Sequence, residues 1–424
     1  MLGNIARMLV LASAISGLCA SALANTTASS AVNAVTDETM VAPAQWPTFP
    51  QLAQSDLSLP ILTPPELGGT PFVGVVTSPL LESPPVKIAL LLPTRSTSLA
   101  RVSDAVRAGF MAAYQKDPGN VSVHLVETGD APKDVLAGYR DAVAANDLVV
   151  GPLTRSGATA IVQDRAVSKP TILLTQLNNT DSTGIVTPSN MLVMGLSIED
   201  EARQVADWAA QSGAAKSAFV ISTSASWQMR AARAFAIEWR HVGQTAELMQ
   251  INMEGGYLDA NALLQLRTRL QTDRPQLIFV ALDAVQAIQL RAAIGKEMPM
   301  YGTSQLNPLT MNEWATATPL TDMEGVRLVD MPWQLQVDHA AVMAYPQYLQ
   351  ISGENRSPDV ERLYALGIDA YRVARNIALQ KDDFQLDGVT GKLTVRFGHG
   401  PSYFDRVAQP AVYVNGVVQP LQAP

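Results

Sequence analysis

The sequence predicts an α/β fold built as two parallel-sheet lobes, and three observations predict it. From Lys87 onward, short continuous apolar runs alternate with segments of helical periodicity. Such alternation implies parallel strands joined by right-handed crossovers. The alternation passes through two successive series, and one sheet holding all those strands would be unusually wide. A long helix and a small hairpin then break the pattern near the C-terminus.

The elements follow in order. KIALLLP (87–93) has the unbroken apolar character of a strand covered on both faces. A helix over 98–115, the strand VSVHLVE, a helix over 133–145, the strand DLVVGP, a helix over 154–168 and the strand PTILLT come next. VMGLS and the helix EDEARQVADWAAQ close the first series. The second series opens with SAFVIST and a helix over 226–243, in which Trp239 reads as core. It continues with AELMQIN, a helix over 262–271, LIFVAL, a helix over 284–295 and MPMYGTS. EGVRLVDMPWQLQ is read as one more strand. SPDVERLYALGIDAYRVARNIALQ is then a strong helix, with Ser357 at its cap and Pro358 in its first turn. LDGVTGKLTV ends the pattern as a tight hairpin.

Ahead of this body lie two other provinces. Residues 1–24 read as an export signal: Arg7, a charge-free apolar stretch, and Ala-Leu-Ala ahead of a cleavage site between Ala24 and Asn25. Cys19, the one cysteine, is an alternative lipid-attachment site, although Leu18 before it is bulky for that purpose. Either reading places the body outside the cytoplasm, in the periplasm or as an outer-membrane lipoprotein. Residues 25–86 hold ten of the 27 prolines and read as an extended tether. The expected organisation is therefore a signal over 1–24 and a tether over 25–86. A first lobe follows over 87–212 with a hinge return over 355–420, and a second lobe over 213–354.

Composition and motifs exclude several classes. The net charge is −8, or −9 once Arg7 leaves with the signal, and no run of Lys or Arg appears, so nucleic acid is not an expected partner. TRSTSL after the first strand is neither G-x-G-x-x-G nor a Walker pattern, so no nucleotide cofactor is expected. His124, His241, His339 and His399 are scattered and stand in no metal-ligand spacing. Ser156 lacks the G-x-S-x-G context of a nucleophile elbow. The expectation is a protein with no cofactor, no metal and no catalytic residues.

What remains is a cleft. Ligands of open α/β sheets bind outside the carboxyl ends of the strands. The residues there are Thr94, Arg95, Ser96, Thr154, Ser156, Thr175 and Asn178 in the first series, and Ser222, Ser224, Trp227, Asp283, Thr303 and Ser304 in the second. Helix N-termini at these positions offer free N–H groups to an anion. The same Ser, Thr and Asp positions also suit ordinary helix caps. Arg95 can hold a carboxylate through two parallel hydrogen bonds or stand in solvent. Trp227 can stack on a ligand or pack on the hinge face.

The order of elements resembles the type I periplasmic-binding-protein fold, in which two Rossmann-like lobes are joined by several chain crossings. In that fold a late helix returns to the first lobe and a G-x-T-G hairpin sits at the hinge, as LYALGIDAYRVARNIAL and LDGVTGKLTV do here. VVGPLTRSGATAIV, ILLTQLNN, QMRAARAFAIEWRHVGQ, MYGTSQLNP and FDRVAQPAVYVNGVVQP further resemble the LppC/LpoA family of penicillin-binding protein activators. That resemblance implies a non-catalytic partner of a class A penicillin-binding protein in peptidoglycan synthesis. The best-known members carry a helical-repeat domain before this body, where this sequence has the proline-rich stretch. The alternative implied by the fold is a solute-binding protein of an ABC importer, with a permease as partner and amino acids or similar small polar solutes as ligands. In such relatives Ser and Thr after Gly-Pro hold the amino-acid carboxylate, and Thr154 and Ser156 resemble that arrangement.

Overall fold

The structure is a computed structural model that describes residues 84–165, 167–177, 187–211, 216–310, 320–348 and 357–421. Cys19, Ala24, Asn25, the tether up to residue 83 and Asn178 lie outside the described residues.

The first lobe is a five-stranded parallel sheet in the order β2-β1-β3-β4-β5. Its strands are β1 (Val86–Leu92), β2 (Val121–Glu127), β3 (Leu148–Val150), β4 (Thr171–Leu173) and β5 (Met191–Val193). Helices α1 (Ala100–Lys116), α2 (Pro132–Ala145) and α3 (Arg155–Gln163) connect them. The unbroken apolar run of β1 follows from the period of two along a strand. Ile88, Leu90 and Leu92 enter the core shared with α1, whereas Ala89 and Leu91 enter the core shared with α2 and α3. Both faces are thus covered, and no position on the buried part of the strand calls for a polar residue.

The second lobe opens with α4 (Ile198–Gln211), β6 (Ser217–Ser222), α5 (Ser226–His241) and β7 (Thr245–Gln250). A two-strand hairpin, β8 (Met253–Glu254) and β9 (Tyr257–Leu258), precedes α6 (Ala260–Asp273). β10 (Leu277–Ala281), α7 (Ala284–Ile294), β11 (Met300–Gly302) and β12 (Arg327–Asp330) follow. β10 repeats the logic of β1: Leu277, Phe279 and Ala281 face α4 and α5, while Ile278 and Val280 face the opposite core. Trp239 is fully buried in the first of these cores.

The remaining chain returns. The short helices α8 (Pro332–Leu335) and α9 (Ala340–Met343) contribute Trp333 and Val342 to the first-lobe core. α10 (Pro358–Ala378) lies along α1 on that core. The crossing is close because Gly109 and Gly367 lie at the contact. A Cβ on Gly109 would stand 1.9 Å from the Tyr364 carbonyl oxygen, and one on Gly367 would stand 2.2 Å from that of Val106. The hairpin β13 (Asp383–Asp387) and β14 (Lys392–Arg396), with β15 (Tyr403–Val407), forms a three-stranded antiparallel sheet. β16 (Gln409–Val414) and β17 (Val417–Pro420) then add antiparallel strands to β12. The second sheet therefore runs β17-β16-β12-β11-β10-β6-β7.

Two expected boundaries move. Helix 198–211 was assigned to a first lobe ending at residue 212, but Ala202, Val205, Ala206 and Ala209 pack with Phe235 and Phe279 of the second lobe. The first crossing therefore falls between Val193 and Ile198. The return over 355–420 also divides. Residues up to Val407 serve the first lobe and its three-stranded sheet, and residues from Gln409 pair with the second sheet. The segment 324–336, read as one strand, is β12 followed by α8.

Candidate interlobe site

Because β1, β3 and β4 are neighbours in the first sheet, Arg95, Ser96, Thr154, Ser156 and Thr175 lie along one edge of it, at the strands' carboxyl ends. β6, β10 and β11 are likewise adjacent, which collects Ser224, Trp227, Asp283 and Ser304 on the second lobe.

Ser96, Asp283 and Ser304 are engaged within the chain. Thr94 donates to Glu127 at 3.0 Å. Ser96 donates to Asp130 at 2.8 Å and lies 3.0 Å from the Ser98 hydroxyl. Asp283 accepts from the Gln286 amide at 2.8 Å and forms a reciprocal capping box with it. Gln286 in turn accepts from Gln228, whose own carbonyl oxygen takes both the amide and the hydroxyl of Thr223. These bonds link Thr223, Gln228, Gln286 and Asp283 in one chain along the lip of the second lobe. Thr154 occupies the N-cap position of α3 but makes no capping bond, and its Oγ1 is buried without a partner. Arg95, Ser156 and Ser224 are exposed, Trp227 is half-buried and Thr175 is buried.

Ser304 leads to charges that the sequence reading did not single out. Its amide donates to Glu201 of α4 at 2.9 Å, and its carbonyl accepts from Arg362 of α10 at 3.4 Å. Arg362 also pairs with Asp330 at 2.7 Å, with both side chains buried. Asn307 donates to the same Asp330 carboxylate at 2.9 Å. Burial first, and then the neighbouring charge of Asp330, push the Glu201 carboxyl from 4.5 up to about 7, against the Ser304 amide and Arg362. Arg230 holds Glu199 at 2.6 Å. Although burial opposes it, that bond, together with the positive charge of Arg155 in the first lobe, keeps the Glu199 carboxyl low.

The hairpin turn between β13 and β14 is organised by Asp369 on α10. Its fully buried carboxylate accepts from the Val389 amide at 3.2 Å, the Thr390 amide at 2.8 Å and the Thr390 hydroxyl at 2.7 Å. Arg406 of β15 donates to Thr390 Oγ1 at 3.0 Å and to the carbonyls of Met194 and Gly195 at 2.8 and 3.2 Å. Ala408 and Gln204 exchange two bonds of 2.9 and 2.7 Å. A cavity of about 580 Å³ lies beside this hinge, between α4 and β15, with Asp200, Arg203, Asp207, Phe404 and Asp405 in its wall. Arg362 and Asp369 are seven residues apart and share a face of α10 with Arg372 and Asn376, so neither stands out in the sequence.

Among the described residues no group of three or more His, Cys, Asp or Glu is placed to hold a metal. His124 pairs with Asn146, His339 with Asp387 and His399 with Asp382; none of these partners is among the cleft residues.

Comparison with known proteins agrees with this geometry. Residues 78–398 match the model of the family described as "LppC putative lipoprotein". The penicillin-binding protein activator LpoA of Haemophilus ducreyi is 26% identical over 346 residues, which is 78% of this chain and 54% of the relative. That of Edwardsiella piscicida is 28% identical over 325 residues, 68% of this chain and 45% of the relative. The chain thus spans about half the length of the curated relatives it matches. Among solved structures, the LpoA C-domain of Haemophilus influenzae, a regulator of PBP1A, superposes with a TM-score of 0.64 at 19% identity. The match covers 79% of this chain and 100% of that one. A "putative branched-chain amino acid ABC transporter" of Chromobacterium violaceum superposes with a TM-score of 0.61 at 31% identity, over 77% of this chain and 99% of that one. The fold is the periplasmic-binding-protein-like α/β fold that these proteins share. Matched by the family model across most of its length, the chain belongs to the LppC family.

Proposed function

We propose that this chain is an exported, non-catalytic protein that binds a class A penicillin-binding protein and stimulates its peptidoglycan synthesis. The observation that carries this reading is the match to LpoA activators across the two-lobed body. Stimulation requires that the protein bind the active state of the synthase more tightly than the inactive one. The test is glycan polymerisation by a purified class A synthase with and without the mature chain, alongside a direct binding measurement. A rise in rate with saturable binding is expected. No binding, with no change in rate, removes the reading.

The Chromobacterium relative favours a second reading, a solute-binding protein of an importer. It predicts that one amino acid raises the melting temperature by several degrees through ligand linkage. Activation of a synthase without any such shift decides for the first reading.

A further inference from the structure

We propose that the chain crossings between the lobes are cross-braced by buried and half-buried side chains, so that the lobes keep one fixed angle rather than closing over a solute. The three crossings lie between Val193 and Ile198, between Asp330 and Pro332, and between Val407 and Gln409. Each is held by a side chain from elsewhere. At the first, Arg406 of β15 takes the carbonyls of Met194 and Gly195 while its Nε holds Thr390 of the hairpin turn. At the second, Arg362 of the first-lobe helix α10 reaches across to Asp330 and to the Ser304 carbonyl of the second lobe. At the third, Gln204 of the second-lobe helix α4 holds both the amide and the carbonyl of Ala408.

The charges are arranged to match. Arg362 and Arg406 come from first-lobe elements, and Asp330 and Glu201 from second-lobe elements. Asp359 and Asp369 on α10, Asp200 on α4 and Asp405 on β15 are the other carboxylates within reach of these guanidinium groups. A hinge that opens and closes needs crossing segments whose backbone dihedrals can change freely. Here the carbonyls of the first crossing are occupied and the second is pinned by a buried ion pair. Bending either one would strand buried polar groups. The Asp369 carboxylate adds rigidity by fixing the turn against which Arg406 rests.

The inference is independent of which partner the protein serves, and a distance measurement tests it. Spin labels at the exposed helix positions Lys133→Cys on α2 and Arg233→Cys on α5, outside the cleft and in the full chain carrying Cys19→Ser, report the lobe separation. The expected result is one narrow distance that L-leucine and L-glutamine leave unchanged, and a second, longer population in Arg362→Gln. Two populations in the parent chain, or a shift on adding either amino acid, overturns the proposal. So does an unchanged distribution in an Arg362→Gln variant that circular dichroism shows to be folded. If that variant does not fold, Gln204→Ala decides, because it removes two bonds at the third crossing and leaves the buried charges in place. A broadened distribution supports the brace, and an unchanged one refutes it. Synthase binding is measured separately on the same samples, so its absence bears on the proposed partner alone.

Discussion

Gly109→Ala gives a change whose sign alone decides the packing argument. In an unobstructed helix, replacing glycine by alanine stabilises by about 0.5–1 kcal/mol. At Gly109 the new methyl would stand 1.9 Å from the Tyr364 carbonyl oxygen on α10, whereas ordinary contact begins at 3.4 Å. The backbone of α10 cannot rotate out of the way like a side chain. The two helices must therefore separate by roughly 1.5 Å, and the layer holding Phe110, Tyr364 and Tyr371 loosens with them. Overpacking of this kind costs about 1–3 kcal/mol, occasionally more. The net expectation is a loss of about 1–2 kcal/mol after the gain in helix propensity. At about 2–4 °C per kcal/mol, the melting temperature should fall by several degrees. Thermal unfolding followed by circular dichroism at 222 nm measures it. A rise of one or two degrees would mean that the helices are not in backbone contact at this residue, and the close crossing of α1 and α10 would be wrong.

Three further outcomes follow from the site. Asp369→Ala leaves the Val389 amide, the Thr390 amide and the Thr390 hydroxyl without their buried acceptor. It should destabilise by about 3–5 kcal/mol, read from urea unfolding, and a loss below about 1 kcal/mol would show that the turn stands without it. Glu201 has a carboxyl raised in the folded chain, so its contribution to stability is full below about pH 4.5 and is lost as pH rises through about 7. The loss across that window should be about 1–3 kcal/mol, and Glu201→Gln should flatten this part of the pH profile; identical profiles for parent and variant would contradict it. Intact mass of the exported protein should correspond to a start at Asn25 with no added group, while acyl mass on Cys19 would reassign the protein to the membrane surface.

The alternation of strands and helices could be read before any coordinates, because β1 and β10 are covered on both faces and so carry unbroken apolar runs. The capping role of Asp283 was also readable, since Gln286 stands three residues later as a capping box requires. The lobe to which α4 belongs was not. Its apolar stripe says that it covers a sheet, and the choice between two sheets depends on where the chain bends between Val193 and Ile198. The hinge charges were hidden for a related reason. Glu201, Ser304, Asp330 and Arg362 are far apart in sequence, and each looks like an ordinary polar residue until the return of α10 brings them together. Thr154 shows the opposite limit, since it occupies a capping position yet makes no capping bond.

Neither lobe is a continuous stretch of polypeptide, and this has a consequence for a chain that emerges from its N-terminus. The sheet of the first lobe is complete at Val193, yet α10, which covers one of its faces together with α1, begins only at Pro358. Until then the part of that face beside α1 stays wet, while the whole second sheet except its last two strands emerges. A truncation before α10 would therefore leave the greasy surface beside α1 uncovered, and such a fragment should clump or be degraded rather than persist as half a protein.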